Sequence, residues 1–206
     1  MPSRRATAAA REEPQRERLD VEERRRRLVA LGVELFSERT YDDVSIDELA
    51  QAAGISKGLL YHYFPTKRDF YVATVREAAQ QLLARTATPE QMDPLERLRA
   101  GLDAYLDYVS KHGKPYQALL RSGIGADAEV ARIVDETRQA FGARLLEGAP
   151  VTQRGPLVEI VLRGWVGFVE AATVQWLDHK RKIDRAALRD VLVKVLLDAI
   201  TAGTGA

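Results

Sequence analysis

Cysteine is absent from this 206-residue chain. That removes disulfides, thiol nucleophiles and thiolate zinc sites, and it suits a reducing compartment. Histidine is scarce: His62, His112 and His179 stand far apart, without the H-x₃-H or HExxH spacing that a metal-dependent hydrolase needs. No metal and no cofactor is expected. No apolar run reaches the ~18 residues of a membrane span, and the charged segment Met1 to Asp20 lacks the apolar heart of a signal peptide. The chain therefore reads as soluble and cytoplasmic, with no membrane partner. A large charge of either sign is missing too. The formal net charge is +1, and basic and acidic residues balance over residues 1–70, so charge alone does not announce a nucleic-acid partner. Any such case rests on where individual residues stand.

What is present is an ordinary globular balance, 46% hydrophobic and 30% charged. A chain of this length buries about 70% of its unfolded surface and needs no staple. No segment alternates with period two, and the pattern predicts an all-α fold. Residues 1–20, with Arg4, Arg5, Arg11, Arg16 and Arg18 among Ala, Glu and Pro, have little to bury and read as a flexible arm. Arg4 and Arg5 admit two readings, a minor-groove contact or a solvated tail. A helix is expected from Asp20, with Leu28, Leu31, Leu35 and Phe36 on one face and Arg24, Arg25 and Arg27 opposite. Ser45 and Glu48 form a capping box for a second helix, whose inward side is Ile46, Leu49, Ala50 and Ala53. Gly54 ends it. A short third helix spans Ser56 to Phe64 and is stopped by Pro65. A fourth opens at Thr66 and runs to about Ala84. Helices follow at roughly 94–111, 115–122, 127–147, 154–179 and 184–201, divided by Gly and Pro.

Residues 45–67 are the informative stretch. Two short helices joined by Ala53-Gly54-Ile55 have the logic of a helix-turn-helix, in which the first helix braces the second so that it can enter a major groove. On the second helix Leu60 and Phe64 face inward, and Lys57, Gly58, Leu59, Tyr61, His62 and Tyr63 surround the other sides. Hydroxyl, imidazole and ammonium groups donate to phosphate, and Gly58 lets the backbone approach closely. Ser45, Ser56 and Thr66 open helices, where hydroxyls and free N–H groups suit phosphate oxygens. The run Gly54-Ile55-Ser56-Lys57-Gly58-Leu59-Leu60-Tyr61-His62-Tyr63-Phe64-Pro65-Thr66-Lys67 resembles the DNA-binding domain of the TetR family of regulators. The likeness covers about residues 24–75. It implies phosphate contacts from Ser45, Tyr61, Tyr63 and Lys67, and places Lys57, Gly58, Leu59 and His62 at or near base edges. Many members carry a polar residue where this chain has Leu59, which suits a thymine methyl instead. The organisation that follows is a flexible arm over 1–20, a helix-turn-helix DNA-binding domain over 21–67, and a helical ligand-binding and dimerisation domain over 68–206.

Two helices near the C-terminus are apolar on more than one side, and such helices are buried on more than one side. In 154–179 one face holds Val158, Val161, Leu162, Trp165, Phe168, Val169 and Trp176, and another holds Leu157, Ile160, Gly164, Gly167, Ala171 and Val174. In 184–201 the set Leu188, Val191, Leu192, Val195, Leu196 and Ala199 is joined by a second side of Val193, Leu197 and Ile200. The second sides predict a two-fold homodimer interface. The TetR resemblance implies the same, together with a ligand pocket. Its expected walls are Leu102, Tyr105, Leu106, Val109, Tyr116, Leu120, Phe141, Trp165, Phe168, Val169 and Trp176, with Gln117, Arg121, Thr173 and Gln175 as further polar candidates. The composition suggests a largely apolar effector that releases a repressor from a palindromic operator; a corepressor of opposite sign stays open.

An enzyme, or a helical small-molecule-binding protein without DNA affinity, is the competing class. Gly123-Ile124-Gly125-Ala126-Asp127-Ala128 resembles a nucleotide-binding GxGxxA, but it follows a helix where that motif follows a strand, and reads as an interhelical turn. Asp42-Asp43 and Asp135-Glu136 read as solvated charges.

Overall fold

The computed structural model describes residues 6–121, 127–148, 155–179 and 182–204. Among them the chain forms nine helices and no strand: α1 Ala6–Leu35, α2 Ile46–Ala52, α3 Lys57–Tyr63, α4 Lys67–Arg85, α5 Pro94–Lys111, α6 Gly113–Arg121, α7 Ala128–Gly148, α8 Pro156–Asp178 and α9 Arg185–Thr204. Arg4, Arg5 and the Gly123 to Ala126 stretch lie outside the described residues.

One boundary departs clearly from expectation. Helix α1 starts at Ala6, not Asp20. Its early residues are dominated by Ala, Arg, Glu and Gln, which are strong helix formers, and lengthening an existing helix needs no new nucleus. Pro14 removes one backbone donor. Asp20 is therefore no cap; it pairs one turn on with Arg24 at 3.3 Å.

At α2, α4 and α5 the starts are built as their chemistry demands. The Ser45 hydroxyl accepts from the Glu48 N–H at 3.2 Å, and the Glu48 carboxylate accepts from the Ser45 N–H at 2.8 Å. Thr66 and Asp69 repeat this box at α4. Asp93, ahead of Pro94, accepts from the N–H groups of Leu95 and Glu96. Gly54 sits at φ 64°, in the left-handed region that favours glycine. That turn lets the Ile55 N–H reach back to the Ala50 carbonyl at 3.0 Å.

Two apolar cores result. The first gathers Leu28 of α1, Phe36 just beyond its end, Leu49 of α2, Leu60 of α3, Phe64 and Phe70, and it is completed by Val130 and Ile133 of α7. The second holds Leu106 and Val109 of α5, Val158, Leu162 and Trp165 of α8, and Leu192, Val193 and Leu196 of α9. Helix α4 serves both, with Phe70 to Val75 in the first and Leu82 in the second. Close approach of α1 and α4 depends on Gly32, where an added methyl would run into Thr74 Oγ1 and lie 2.8 Å from the Phe70 ring. Gly32→Ala gains up to about 1 kcal/mol of helix propensity, but overpacking costs about 1–3 kcal/mol. A lower melting temperature is the expected outcome; an unchanged or raised one would show that α1 and α4 can part there freely.

The outer faces of α8 and α9 differ in detail from the sequence pattern. Leu157, Ile160, Gly164, Gly167 and Ala171 are exposed on α8, but Val174 is buried. Phe168, expected inward, points out at 42% exposure. On α9 Leu197 is exposed, whereas Val193 is core and Ile200 is half-buried against it. Val191 and Val195 replace them outside. The reason is phase. Both helices carry apolar residues around most of their circumference, so periodicity shows two sides without saying which one the protomer covers.

Candidate DNA-contact surface and internal cavity

Helix α3 presents Gly58, Tyr61 and His62 to solvent. Leu60 and Phe64 are buried beneath them, which fixes the orientation of that surface. Leu59 is half-buried. Tyr63 is half-buried too and packs against the small core, so only part of it is available. Ser45 and Ser56 spend their oxygens as caps, and the Ser45 hydroxyl also bonds the Glu48 carboxylate. Thr66 gives its hydroxyl proton to Asp69 at 2.8 Å and is committed locally. Neither lysine stands free. Lys57 Nζ lies 2.9 Å from Asp47 Oδ1, a contact that raises its pKa first through the hydrogen bond and then through charge. Lys67 Nζ sits 4.1 Å over the Tyr41 ring.

Beneath this unit lies a cavity of about 760 Å³, within the range of roughly 300–1,000 Å³ typical of small-molecule sites. Its walls include the expected Leu102, Tyr105, Tyr116, Leu120, Phe141, Trp165 and Val169. Four expected members lie elsewhere. Leu106 and Val109 are sealed in the second core. Phe168 faces out. Trp176 is buried away from the cavity, its Nε1 donating to the Ile183 carbonyl at 2.8 Å. Among the further polar candidates, Gln117 is tied to Val174 O and Asp178, Thr173 donates to Val169 O, Gln175 is exposed, and the Arg121 side chain lies outside the described residues.

Sequence reasoning missed three parts of the wall. Val33, Phe36, Ser37 and Tyr71 bring the end of α1, the turn after it and the start of α4 into it. Leu196, Leu197 and Ile200 bring in α9, although the sequence pattern puts Leu197 and Ile200 at the dimer interface. Glu170 brings a carboxylate, paired with Arg138 at 2.7 Å. A signal for Glu170 existed: it is an acid on an otherwise apolar stripe of α8.

An ionic seam joins the start of α4 to α7. Arg68 donates from Nη2 to Asp127 Oδ1 at 2.8 Å, and its Nε lies 2.5 Å from Oδ2. Asp127 also accepts from the N–H groups of Glu129 and Val130, capping α7. Arg68 thus stands between Lys67 and a helix that forms part of the cavity wall. The Arg68 hydrogen bond, aided by the backbone donors, holds the Asp127 carboxyl at about 2, below its ordinary 3.8. A lowered folded pKa means stability that is present above about pH 4 and is lost as pH falls toward 2. Asp127→Asn is expected to flatten that part of the acid-unfolding curve, monitored by circular dichroism; an identical curve would show that the pair adds nothing.

Comparison with known proteins agrees with this geometry. Residues 28–74 match the family described as bacterial regulatory proteins, tetR family, and residues 94–199 match the tetracyclin repressor-like C-terminal domain. A tetR-family transcriptional regulator from Streptomyces coelicolor, known from its crystal structure, is 37% identical, with a TM-score of 0.82 over 89% of this chain and 83% of that one. The transcriptional activator FasR of Mycolicibacterium smegmatis is 27% identical over 175 residues, 82% of this chain and 78% of that protein. FadR from Bacillus subtilis, solved with stearoyl-CoA, has the same fold at 19% identity, with a TM-score of 0.67 over 84% of this chain and 97% of that one. These matches define the class as helix-turn-helix regulators of transcription, a family whose members are not enzymes. The chain belongs to the TetR family of transcriptional regulators.

Proposed function

We propose that the protein binds a palindromic operator as a homodimer, through Ser45, Ser56, Lys57, Gly58, Leu59, Tyr61, His62, Tyr63 and Lys67, and that a largely apolar small molecule in the cavity releases it. The observation that carries this reading is the extent of the cavity wall, which reaches from Val33, Phe36 and Tyr71 of the helix-turn-helix unit to Trp165 and Leu196 in the second core. A ligand there touches both units. It favours whichever relative placement fits it better, and DNA affinity changes only as far as the ligand distinguishes the two placements. Two recognition helices read adjacent half-sites about 34–36 Å apart, so a small rotation of either unit spoils the register. The stearoyl-CoA held by FadR of Bacillus subtilis supports an acyl-chain-sized effector.

The dimer in this reading uses the outer faces of α8 and α9. Release by ligand makes the protein a repressor. FasR is named an activator, so the sign is decided by measurement. The test is titration of the purified protein against duplex DNA from upstream of its own gene, at two salt concentrations. Tight binding that falls steeply with salt is expected. Affinity no greater than for unrelated duplex would overturn the reading.

A further inference from the structure

The cavity wall is not wholly apolar. Tyr105, Tyr116 and Glu170 line it, and behind them stand the partners Arg138 of Glu170 and Thr173 of Tyr105, so that four helices meet in one polar node. The Tyr105 and Tyr116 hydroxyl oxygens are 2.5 Å apart, one from α5 and one from α6. Arg138 of α7 reaches Glu170 of α8 from Nε, at 2.9 Å and 3.1 Å to the two oxygens, and from Nη2 at 2.7 Å. Thr173 lies one turn beyond Glu170, fully buried, its hydroxyl donating to the Val169 carbonyl at 2.7 Å. The same wall holds Leu102, Leu120, Phe141, Trp165 and Val169.

Resting on the ligand-binding reading above, we infer that the Tyr105–Tyr116 pair recognises an uncharged oxygen function, such as a hydroxyl, on a long apolar effector, and that Glu170 rejects a free carboxylate. The charge arithmetic is local. Glu170 and Arg138 cancel, so the node is neutral. Burial raises the pKa of both tyrosines, which stay protonated at working pH. Two hydroxyls hold two protons: their mutual bond uses one, and the Tyr105 hydroxyl is also bonded to Thr173, whose own proton goes to Val169 O, so the second is spent there. What the pair offers an incoming group is its spare lone pairs, which suit an oxygen that carries a proton to donate, such as a hydroxyl. A carboxylate placed here has no proton to give the pair and would be a second anion beside Glu170, in a medium that screens poorly. Arg138 is already paired with Glu170, and the guanidiniums of the wall itself are engaged elsewhere, Arg144 with Leu83 O and Thr86, and Arg97 with Thr88. A plain hydrocarbon would leave the pair bonded to itself and gain nothing from it.

The probes are 1-dodecanol and dodecanoate, titrated at pH 8, where the acid is ionised, into the full-length protein. Two readouts are followed: fluorescence of Trp165 in the cavity wall, in a Trp176→Phe background, and release of operator DNA. Dodecanol is expected to bind at least about tenfold more tightly than dodecanoate. The double variant Tyr105→Phe/Tyr116→Phe removes both partners of their mutual hydrogen bond and leaves the Thr173 hydroxyl donating to Val169 O, so its melting temperature should hold. It should lose about fivefold in affinity for dodecanol, the worth of one hydrogen bond of about 1 kcal/mol. Glu170→Gln uncovers the Arg138 charge and should raise dodecanoate affinity about tenfold, a gain that a merely structural role for Glu170 would not give. Equal affinities of the wild type for both probes, or unchanged preferences in both variants, would overturn this inference and leave the cavity reading standing. Failure of both probes to bind would remove the apolar-effector reading, and this inference with it.

Discussion

Carrying Ile160→Asp together with Val191→Asp, the protein should run as a monomer and lose at least about a hundredfold in operator affinity. Ile160 is 67% and Val191 56% exposed in the protomer. Around them lie Leu157, Phe168, Val195 and Leu197, all exposed, with Gly164, Gly167 and Ala171 between the large side chains. Scattered apolar residues on a surface mean little, but six large ones on two adjacent helices are a patch of the kind that marks a protein interface. Small residues let a facing helix come close. Two-fold symmetry places every substitution in the interface twice, so four carboxylates would be buried without partners. The protomer itself should keep its helicity, because neither position packs into its own core. The DNA effect follows from linkage. In a dimer the second half-site is engaged at high effective concentration, a gain of about 10²–10⁴ that a monomer forfeits. Light scattering and an operator titration check both halves. A variant that stays dimeric would mean that this patch is not the interface.

The positions of the elements were largely legible, because helix ends are local chemistry. Ser45 with Glu48, Gly54, Pro65, Thr66 with Asp69, and Asp93 with Pro94 each mark a boundary by satisfying or refusing backbone groups within a few residues. The same holds for α3, where a four-residue spacing of Leu60 and Phe64 names the inner face and leaves Tyr61 and His62 outside. Phase was harder. Val174 and Val193 look like Ile160 and Leu197 in the sequence, and only the lie of α8 on α9 separates them. Core and cavity wall are harder still. Leu102 and Leu106 are the same residue type one turn apart on α5, yet one lines the cavity and the other is sealed, since hydrophobicity does not record whether the neighbouring space is filled. The pairs Arg68–Asp127 and Arg138–Glu170 span 59 and 32 positions; nothing in local sequence chooses those partners over other charges. The reach of the cavity into α1 was invisible for the same reason.

The DNA surface leads to the second large effect. Tyr61→Ala with Lys67→Ala is expected to weaken binding to every duplex sequence by about a hundredfold. Each substitution occurs twice in a dimer. Charge-assisted contacts are worth about 1.5–3 kcal/mol, and two from Lys67 at the lower figure make roughly 3 kcal/mol, or about a hundredfold. Tyr61 adds neutral contacts. From that total the protein side subtracts the Tyr41–Lys67 stacking, which the ammonium leaves as it reaches a phosphate; an exposed cation–π contact is worth about 0.5–1 kcal/mol. Loss of one Lys contact per half-site should also flatten the plot of log affinity against log salt by about 1.8. Lys57 provides the contrast. Its ammonium is already neutralised by Asp47, so Lys57→Ala should change the salt slope less than Lys67→Ala, and Asp47→Asn should tighten binding by freeing a cation at the groove. If the double variant binds with wild-type affinity and slope, the phosphates are met by other residues, and the geometry of α3 on DNA must be turned about its axis to find them.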